Sequence, residues 1–458
     1  MKKSIIIYLF IAIQLFSCTK QQEWLEAKVN LNSVVPEKIG DFQALLDTDN
    51  QFQSQGLMGV ISNGQFNILD VEYDAIEVAI SRNLYIWNKT IYEGAFFLDW
   101  DKNYQMITIA NICIEGLSKI KISTTNKGAY ELAKGIAHYN RSIAYFNLIQ
   151  LFAKAYDSNT ANTDLGVPIR LTSDVNERPG RASIKACYNQ ILSDLNEAIN
   201  LLPNETGLQI RPSKTAAKGT LARVYLVLER WDLANQFATD ALSQYNVLID
   251  FNTLSTTASL PFPTYQNKNI EVINYREMNA NLSYTSNNSF MDTALYASYD
   301  NNDLRKVIFY RLFSNRPIFK GFYTGNAITP FGGLATNELY LIKAEALARL
   351  GNTQEALLTL NTLLEKRWRR GTYRSFTAVN SDEALRIILT ERRKELPFTG
   401  NLNWSDLKRL NKDTRFARTL KRTIKSVVYE LPPNSSRYVF PIPAAEIILT
   451  GIQQNERE

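Results

Sequence analysis

The chain has 458 residues, of which 45% are hydrophobic and 21% charged, and its formal net charge is +6. That charge is mild for this length, so the composition argues against strong steering to nucleic acid, and no nucleic-acid partner is expected. A single histidine and the absence of CxxC and HExxH motifs argue against the usual zinc arrangements, and neither a metal nor another cofactor is expected.

The N-terminus has the pattern of a bacterial lipoprotein export signal. Two lysines are followed by an apolar run over residues 5–16, and a small serine precedes Cys18. The pattern predicts that residues 1–17 form a signal peptide and that acyl chains on Cys18 anchor the mature protein to a membrane. An ordinary secretory signal with an incidental cysteine is the alternative. No other segment approaches a transmembrane run.

Apolar residues recur at three- and four-residue steps over much of the remaining chain, which predicts amphipathic helices. In chain order, the predicted helices cover residues 100–117, 130–152, 183–202 and 214–229, and a fifth begins near Asp232. Cys113 and Cys187 lie inside these helical patterns. Two separately buried thiols are favoured there over a disulfide between them.

Some of these helices carry an internal repeat of the tetratricopeptide type. The segments 222–234 and 344–356 each place alanines twelve residues apart across a short turn. Small side chains at those positions allow two antiparallel helices to cross closely, and Gly351 provides a permissive backbone at one turn. A third unit is predicted over 135–203, interrupted by a loop at 155–181. The repeat helices are expected at about 130–250 and 336–396.

Two stretches outside the repeats differ in composition. Residues 56–98 and 250–335 are rich in polar and aromatic residues and show little sustained helical periodicity, so long ordered loops and short strands are predicted there. Long loops inside a compact chain are usually functional or disordered, and this aromatic content argues against disorder. The sequence therefore predicts one domain over 18–458, mainly α, with a helical repeat scaffold, long inserted loops and a few short strands.

The last hundred residues carry a family resemblance. The segment 391–398, ERRKELPF, followed by WSDLKR at 404–409, resembles the signature of the SusD/RagB family. The segment FPIPAAEI at 440–447 is similar to the closing motif of that family, and the helix starting at Trp100 and the DLR sequence at 303–305 are similar to upstream motifs. One departure lies before Trp404, where the glutamate and arginine that the family often has are missing.

The resemblance implies a nutrient-binding lipoprotein of the outer membrane, displayed at the cell surface. Such a protein captures an oligosaccharide or a peptide without catalysis and delivers it to a SusC-like TonB-dependent transporter. The resemblance also implies that the loops at 56–98 and 250–335 form the ligand site, beside a helical scaffold that faces the transporter. Residues 430–458 are expected to form a C-terminal docking tail over the body.

Aromatic rings stack on sugar faces, and polar side chains bind hydroxyl groups. The candidates chosen for stacking on a ligand are Tyr73, Trp87, Tyr284 and Tyr323, with Asp70 as a polar anchor. Ordinary packing in the core is the alternative for each of them. No catalytic residue is assigned.

Two other functions remain open from the sequence. A tetratricopeptide interaction scaffold would bind partner proteins through its helices and no small ligand. A glycoside hydrolase is the less favoured alternative; its carboxylate pair would come from Asp70, Glu72 and Asp74, which alternate in a predicted loop and are more simply read as solvated acids.

The charged signature residues have structural interpretations as well. Glu391, Arg392, Arg393 and Glu395 are within helical reach and are predicted to form ion pairs on a partly solvated helix face. The alternative is that the two arginines bind an anionic ligand. The basic residues between 408 and 425 are predicted to be a solvated surface.

Overall fold

The computed structural model describes residues 36–48, 56–92, 98–279 and 286–458. In these ranges the helices are α1 Ile39–Leu46, α2 Met58–Ser62, α3 Asp70–Ala75, α4 Ala79–Tyr85, α5 Leu98–Ser118, α6 Lys127–Phe152, α7 Ile184–Leu201, α8 Lys214–Val227, α9 Trp231–Gln244, α10 Thr293–Ala297, α11 Arg305–Ile308, α12 Thr336–Arg349, α13 Thr353–Glu365, α14 Ser381–Glu395, α15 Leu402–Leu410 and α16 Ala444–Thr450. The strands are β1 Phe66–Ile68, β2 Leu165–Pro168, β3 Arg181–Ser183, β4 Val272–Asn274, β5 Ser289–Met291, β6 Tyr310–Phe313, β7 Arg316–Phe319, β8 Leu334–Ala335, β9 Leu420–Ile424 and β10 Val427–Leu431.

The mainly helical prediction is confirmed, and the long helices begin and end within a few residues of their predicted bounds. Serine caps mark two of the starts: the side chain of Ser183 accepts a hydrogen bond from the backbone N–H of Ala186 at 3.1 Å, and that of Ser213 accepts one from Ala216 at 3.2 Å. Such caps satisfy amide groups that have no partner inside the helix. The capping residues therefore fix where α7 and α8 begin.

The repeat pattern corresponds to three antiparallel helix pairs, which are α6–α7, α8–α9 and α12–α13. Ala222, Ala234, Ala344 and Ala356, the predicted crossing residues, are fully buried. Gly135 allows an equally close approach in the first pair, because a Cβ there would lie 2.8 Å from Cγ of Leu202. Small residues thus set the helix spacing in all three pairs.

The inserted segments are less irregular than predicted. Between 56 and 92 the chain forms three short helices and β1, and β1 pairs antiparallel with β5 of the second segment, with Phe66 opposite Met291. Helices of five to seven residues are too short to be stable alone and depend on tertiary packing, which leaves a weak periodic signal. The β1–β5 pair brings the two inserted segments together, although they are more than two hundred residues apart in sequence.

A buried ionic network joins the DLR sequence to the signature on α14. Its members are Glu271, Asp303, Arg305, Arg367, Glu391, Lys394 and Glu395. Arg305 contacts Asp303 at 2.7 Å, Glu391 at 2.5 Å and Glu395 at 3.2 Å. The prediction of a partly solvated helix face is therefore wrong for α14, because its acidic residues pair with arginines from other segments inside the protein.

The basic cluster of 408–425 is also not uniformly solvated. Arg409 is buried and forms a two-point ion pair with Glu345 of α12, with N–O distances of 2.5 and 2.7 Å. Lys408 is buried too, and its Nζ donates to the carbonyl oxygens of Gln150 and Ala153. Lys408 and Arg409 of α15 contact α6 and α12 instead of facing water, so the prediction of a solvated surface is wrong for these two residues.

The C-terminal segment contacts the body of the protein through backbone and side-chain hydrogen bonds. The N–H of Phe440 donates to the carbonyl of Leu151 at 2.9 Å, and the side chain of Asn455 donates to Phe152 and Phe440. Cys113 and Cys187 are separately buried free thiols. No helix among the described residues has the length and apolar character needed to cross a membrane.

Asp99, at the start of α5, is a buried carboxylate whose Oδ1 has no hydrogen-bond partner. Burial raises the pKa of Asp99 to about 7, even though backbone amides of Met58 and Leu57 act in the other direction. Because the folded-state pKa lies above the unfolded value, Asp99 favours folding most below pH 4, and that contribution is lost as the pH rises to 7.

We expect Asp99→Asn to remove a pH-dependent loss on the order of 4 kcal/mol in the free energy of unfolding between pH 4 and pH 8. Urea unfolding at several pH values measures it. Asp101→Asn is the matched control, since Asp101 is exposed on the same helix. Parallel pH profiles for wild type and Asp99→Asn would contradict the assignment.

Candidate ligand-binding surface

The two inserted segments and the β9–β10 hairpin meet at one polar surface. We call it the α3 surface and define it by residues 70–75, 286–288 and 425–429. Asp70 and Asp74 lie one helical turn apart and both contact Lys425: its backbone N–H donates to Asp70 at 2.9 Å, and its Nζ lies 2.7 Å from Asp74. The acidic residues at 70–74 therefore belong to a helix, which corrects the predicted loop.

Glu72 points to a different neighbour from Asp70 and Asp74. Its carboxylate accepts hydrogen bonds from Ser286 Oγ at 2.7 Å and from Asn288 Nδ2 at 3.2 Å. The backbone N–H of Leu69 also donates to the carbonyl of Asn288. These contacts hold α3 against the chain that leads into β5. Asp70 and Asp74 therefore contact the β9–β10 hairpin, whereas Glu72 contacts the second inserted segment.

Tyr73 is half-buried at the edge of this surface. Its ring lies 6.2 Å from the ring of Tyr85, between centroids. Burial raises the pKa of Tyr73, and the neighbouring Tyr429 of β10 acts in the same direction. Two tyrosine rings with partly accessible edges therefore flank the carboxylates of α3. Asp70 is exposed, so both residues remain candidates for contact with a ligand.

Trp87 and Tyr323 do not lie on this surface. Trp87 is 2% exposed and its indole N–H donates to the carbonyl of Ser62 at 2.8 Å. Tyr323 is 6% exposed, and its hydroxyl donates to Glu271 of the buried ionic network at 2.8 Å. Neither ring offers a face to a ligand, because core side chains and Arg422 cover the first and Phe262 covers the second. Both residues pack the core.

Tyr284 and Cys18 lie outside the described residues, and their assignments stay predictions. The structure adds residues that sequence reasoning missed, namely Lys425, Tyr429, Asn287 and Arg311; Arg311 donates to Asn287 at 2.6 Å beside Ser286. Lys425 was interpreted only as part of a basic stretch, and Tyr429, Asn287 and Arg311 were not singled out. The β9–β10 hairpin could have been predicted from the alternation of apolar and polar residues at 420–431, in which Leu420 and Ile424 are buried and Lys421 and Thr423 are exposed.

The α3 surface has the chemistry of a binding site for a polar ligand. Carboxylate and amide groups of Asp70, Asp74 and Asn287 are exposed and can hold hydroxyl or amide groups. The tyrosine rings provide apolar edges for the carbon skeleton of a sugar or for a peptide side chain. Among the described residues, no group of three or more His, Cys, Asp or Glu residues is arranged to hold a metal ion.

Comparisons with known proteins agree on one family. Residues 23–226 match a family model described as "SusD-like_3: Starch-binding associating with outer membrane", and residues 254–456 match the model described as "SusD family". A curated SusD-like protein of Bacteroides ovatus is 26% identical over 155 residues. That alignment covers 31% of this chain and 26% of the relative, so the chain spans about a quarter of that protein's length.

Solved structures show the same fold at low sequence identity. A SusD superfamily protein from Bacteroides thetaiotaomicron superposes with a TM-score of 0.74 at 21% identity, over 92% of this chain and all of the other. A SusD-like carbohydrate-binding protein from Bacteroides vulgatus gives 0.69 at 19% identity, over 91% and 97%. The mainly helical repeat architecture with inserted loops is therefore shared along nearly the whole chain.

Proposed function

Because the chain belongs to the SusD family, we propose that it is a nutrient-binding lipoprotein of the outer membrane that captures an oligosaccharide or a peptide. In this proposal the protein binds its ligand at the α3 surface without catalysis and passes it to a SusC-like TonB-dependent transporter. The family description, starch binding in association with the outer membrane, supports the location and the kind of ligand.

The observation that carries the proposal is the convergence of the two inserted segments. The β1–β5 pair joins them, and the contacts of Glu72 with Ser286 and Asn288 extend the junction to the surface. At this junction, exposed polar side chains and the edges of half-buried tyrosine rings lie on the same surface. A binding surface of this kind needs only positioned contacts, which is why no catalytic step is assigned.

The lipid anchor is part of the proposal. Acyl chains on Cys18 would hold the protein at the membrane after removal of 1–17, and more than one acyl chain is needed for stable anchoring. Replacement of Cys18 by serine should then release the protein from the membrane fraction. Fractionation of the native host, followed by detection of an epitope tag, measures that release.

Removal of the Tyr73 ring should weaken binding by about tenfold, since a lost aromatic contact corresponds to roughly 1.4 kcal/mol. Maltoheptaose, as a starch fragment, and trialanine, as a peptide, are the probes, and calorimetric titration of wild type and Tyr73→Ala gives the affinities. Asp70→Ala should act in the same direction. The melting temperature of both variants should stay near that of wild type.

The matched control is Asp232→Ala. Asp232 resembles Asp70 because it is exposed in the first turn of a helix and is paired with a basic residue, Arg230, at 3.1 Å. This variant should bind either probe as wild type does. If wild type and Tyr73→Ala bound a probe with equal affinity, the proposal that the ligand binds at the α3 surface would be wrong.

The transporter is tested separately. Tagged, lipidated protein recovered from outer membrane in mild detergent should carry a stoichiometric TonB-dependent barrel, identified by mass spectrometry. Recovery of the protein without any barrel would contradict the uptake role and favour an interaction scaffold. Release of shorter sugars from maltoheptaose by the purified protein would contradict the absence of catalysis.

A further inference from the structure

A cavity lies away from the residues of the α3 surface, between α10, α14, α15 and the loop that follows α15. Its volume is about 380 Å³, within the range of small-molecule sites. Apolar side chains form one wall, among them Leu389, Leu407 and Phe416. The cavity is therefore large enough for one sugar unit or a molecule of similar size.

Four arginines line this cavity, which are Arg386, Arg392, Arg393 and Arg418, and Asp406 is the one carboxylate among its lining residues. Asp406 is already engaged, because it accepts hydrogen bonds from Arg392 at 2.7 Å and from Arg409 at 2.8 Å. Arg393 is paired with Asp292, so the excess of positive charge at the cavity comes from Arg386 and Arg418.

The arginines keep unpaired donors at the cavity. Arg392 is 3% exposed and uses Nε for Asp406, while its Nη1 is buried without a hydrogen-bond partner. Arg393 donates through Nη2 to Asp292, but its Nε is buried and unpaired as well. These donors are free to bind an acceptor that enters the cavity.

Arg418 completes the set. Among the described residues, none accepts a hydrogen bond from its guanidinium group or lies within salt-bridge distance of it. Burial and the like charge of Arg393 lower the pKa of Arg418 to about 10, despite opposing contributions from Asp292 and Asp406. The group is still charged at neutral pH. An unpaired guanidinium beside a second one is the arrangement that binds an oxyanion in proteins.

We propose that this cavity binds an oxyanion carried by a small ligand, with Arg392, Arg393 and Arg418 donating to it. The carboxylate of an acidic sugar and a sulfate ester share this chemistry. The apolar wall around Phe416 would contact the carbon skeleton. The site does not depend on capture at the α3 surface, since the two share no residue.

Calorimetric titration in a low-salt buffer tests the proposal with three probes: sodium glucuronate, sodium sulfate and the neutral methyl glucoside. Glucuronate or sulfate should bind wild type, and methyl glucoside should not. Arg418→Gln should weaken that binding about tenfold or more, because a hydrogen bond to a charged group is lost. Binding of sulfate alone would assign a sulfate ester as the ligand group, and binding of glucuronate would assign a carboxylate.

Arg415→Gln is the matched control. Arg415 lies in the same loop but is exposed and paired with Asp382 and Asp413, and it does not line the cavity. It should leave the affinity unchanged, as should Tyr73→Ala, which separates this site from the α3 surface. No binding of either anion to wild type, or equal binding to wild type and Arg418→Gln, would overturn the proposal. A melting temperature near wild type should accompany Arg418→Gln, because its guanidinium has no partner to lose.

Discussion

Arg305→Met is expected to lower the free energy of unfolding by about 3–5 kcal/mol, because it removes the guanidinium that contacts three buried carboxylates and leaves them only Lys394 and Arg367 as counterions. Methionine fills a similar volume but removes the charge. Asp303 and Glu395 have side chains that are 0% exposed, so water cannot replace the lost partner. Burial raises the pKa of Asp303, but the charge and hydrogen bonds of Arg305 outweigh this effect and hold that pKa below its ordinary value. Urea unfolding followed by circular dichroism measures the loss.

The control is Arg230→Met, at an exposed pair with Asp232 in which both side chains are more than half accessible. Its cost should stay below about 0.5 kcal/mol, as for most surface ion pairs. Acidification should reduce the difference between Arg305→Met and wild type, since protonated carboxyl groups no longer need the guanidinium. A loss below 1 kcal/mol at neutral pH, or a difference that grows with acidification, would contradict the role assigned to Arg305.

The ion pairs of α14 show what a helical pattern can and cannot reveal. Of the residues predicted to pair within the helix, Arg392 and Arg393 instead pair with Asp406 and Asp292. The partner of Glu391 within α14 is Lys394, at 2.9 Å, which was not among the predicted residues. The stronger partners, Arg305 and Arg367, come from distant segments, and no periodicity connects them to α14. The family resemblance identified the DLR and ERRKE motifs separately, but it did not predict that they contact each other in the folded protein. Helical periodicity predicts which residues share one face of a helix, but it does not predict which other segment packs against that face.

The sequence also did not show which aromatic residues of the inserted segments lie at the surface. Tyr73 and Trp87 occur in the same stretch of mixed composition, yet one lies at the surface and the other in the core. Composition cannot separate a ring that stacks on a ligand from a ring that fills space, because both need polar neighbours for their N–H or O–H groups. The repeat alanines were predicted correctly since close helix crossing restricts those positions to small residues. No comparable restriction applies to the rings.

The ring of Trp87 contacts a buried guanidinium group, that of Arg422. The guanidinium of Arg422 lies 4.7 Å from the Trp87 ring and 3.7 Å from the Tyr85 ring, and it is 5.5 Å from Phe66. Arg422 donates to backbone carbonyls, including that of Ile61 at 2.8 Å, and burial lowers its pKa to about 10. Aromatic faces and carbonyls therefore stabilise this charge where a carboxylate would be usual.

Loss of the indole from this cluster should be as damaging as a large core deletion. Trp87→Ala is expected to lower the free energy of unfolding by about 3–5 kcal/mol, through the cavity it leaves and the exposure of the Arg422 charge. Trp87→Phe keeps an aromatic ring and loses the hydrogen bond to Ser62 and part of the packing, so we expect a smaller loss of about 1–2 kcal/mol. Urea unfolding of both variants, with Tyr73→Ala as the surface comparison, measures the order of these losses. If Trp87→Ala kept wild-type stability and instead abolished maltoheptaose or trialanine binding, Trp87 would be a ligand contact, because a ring that only packs cannot be removed without loss of stability.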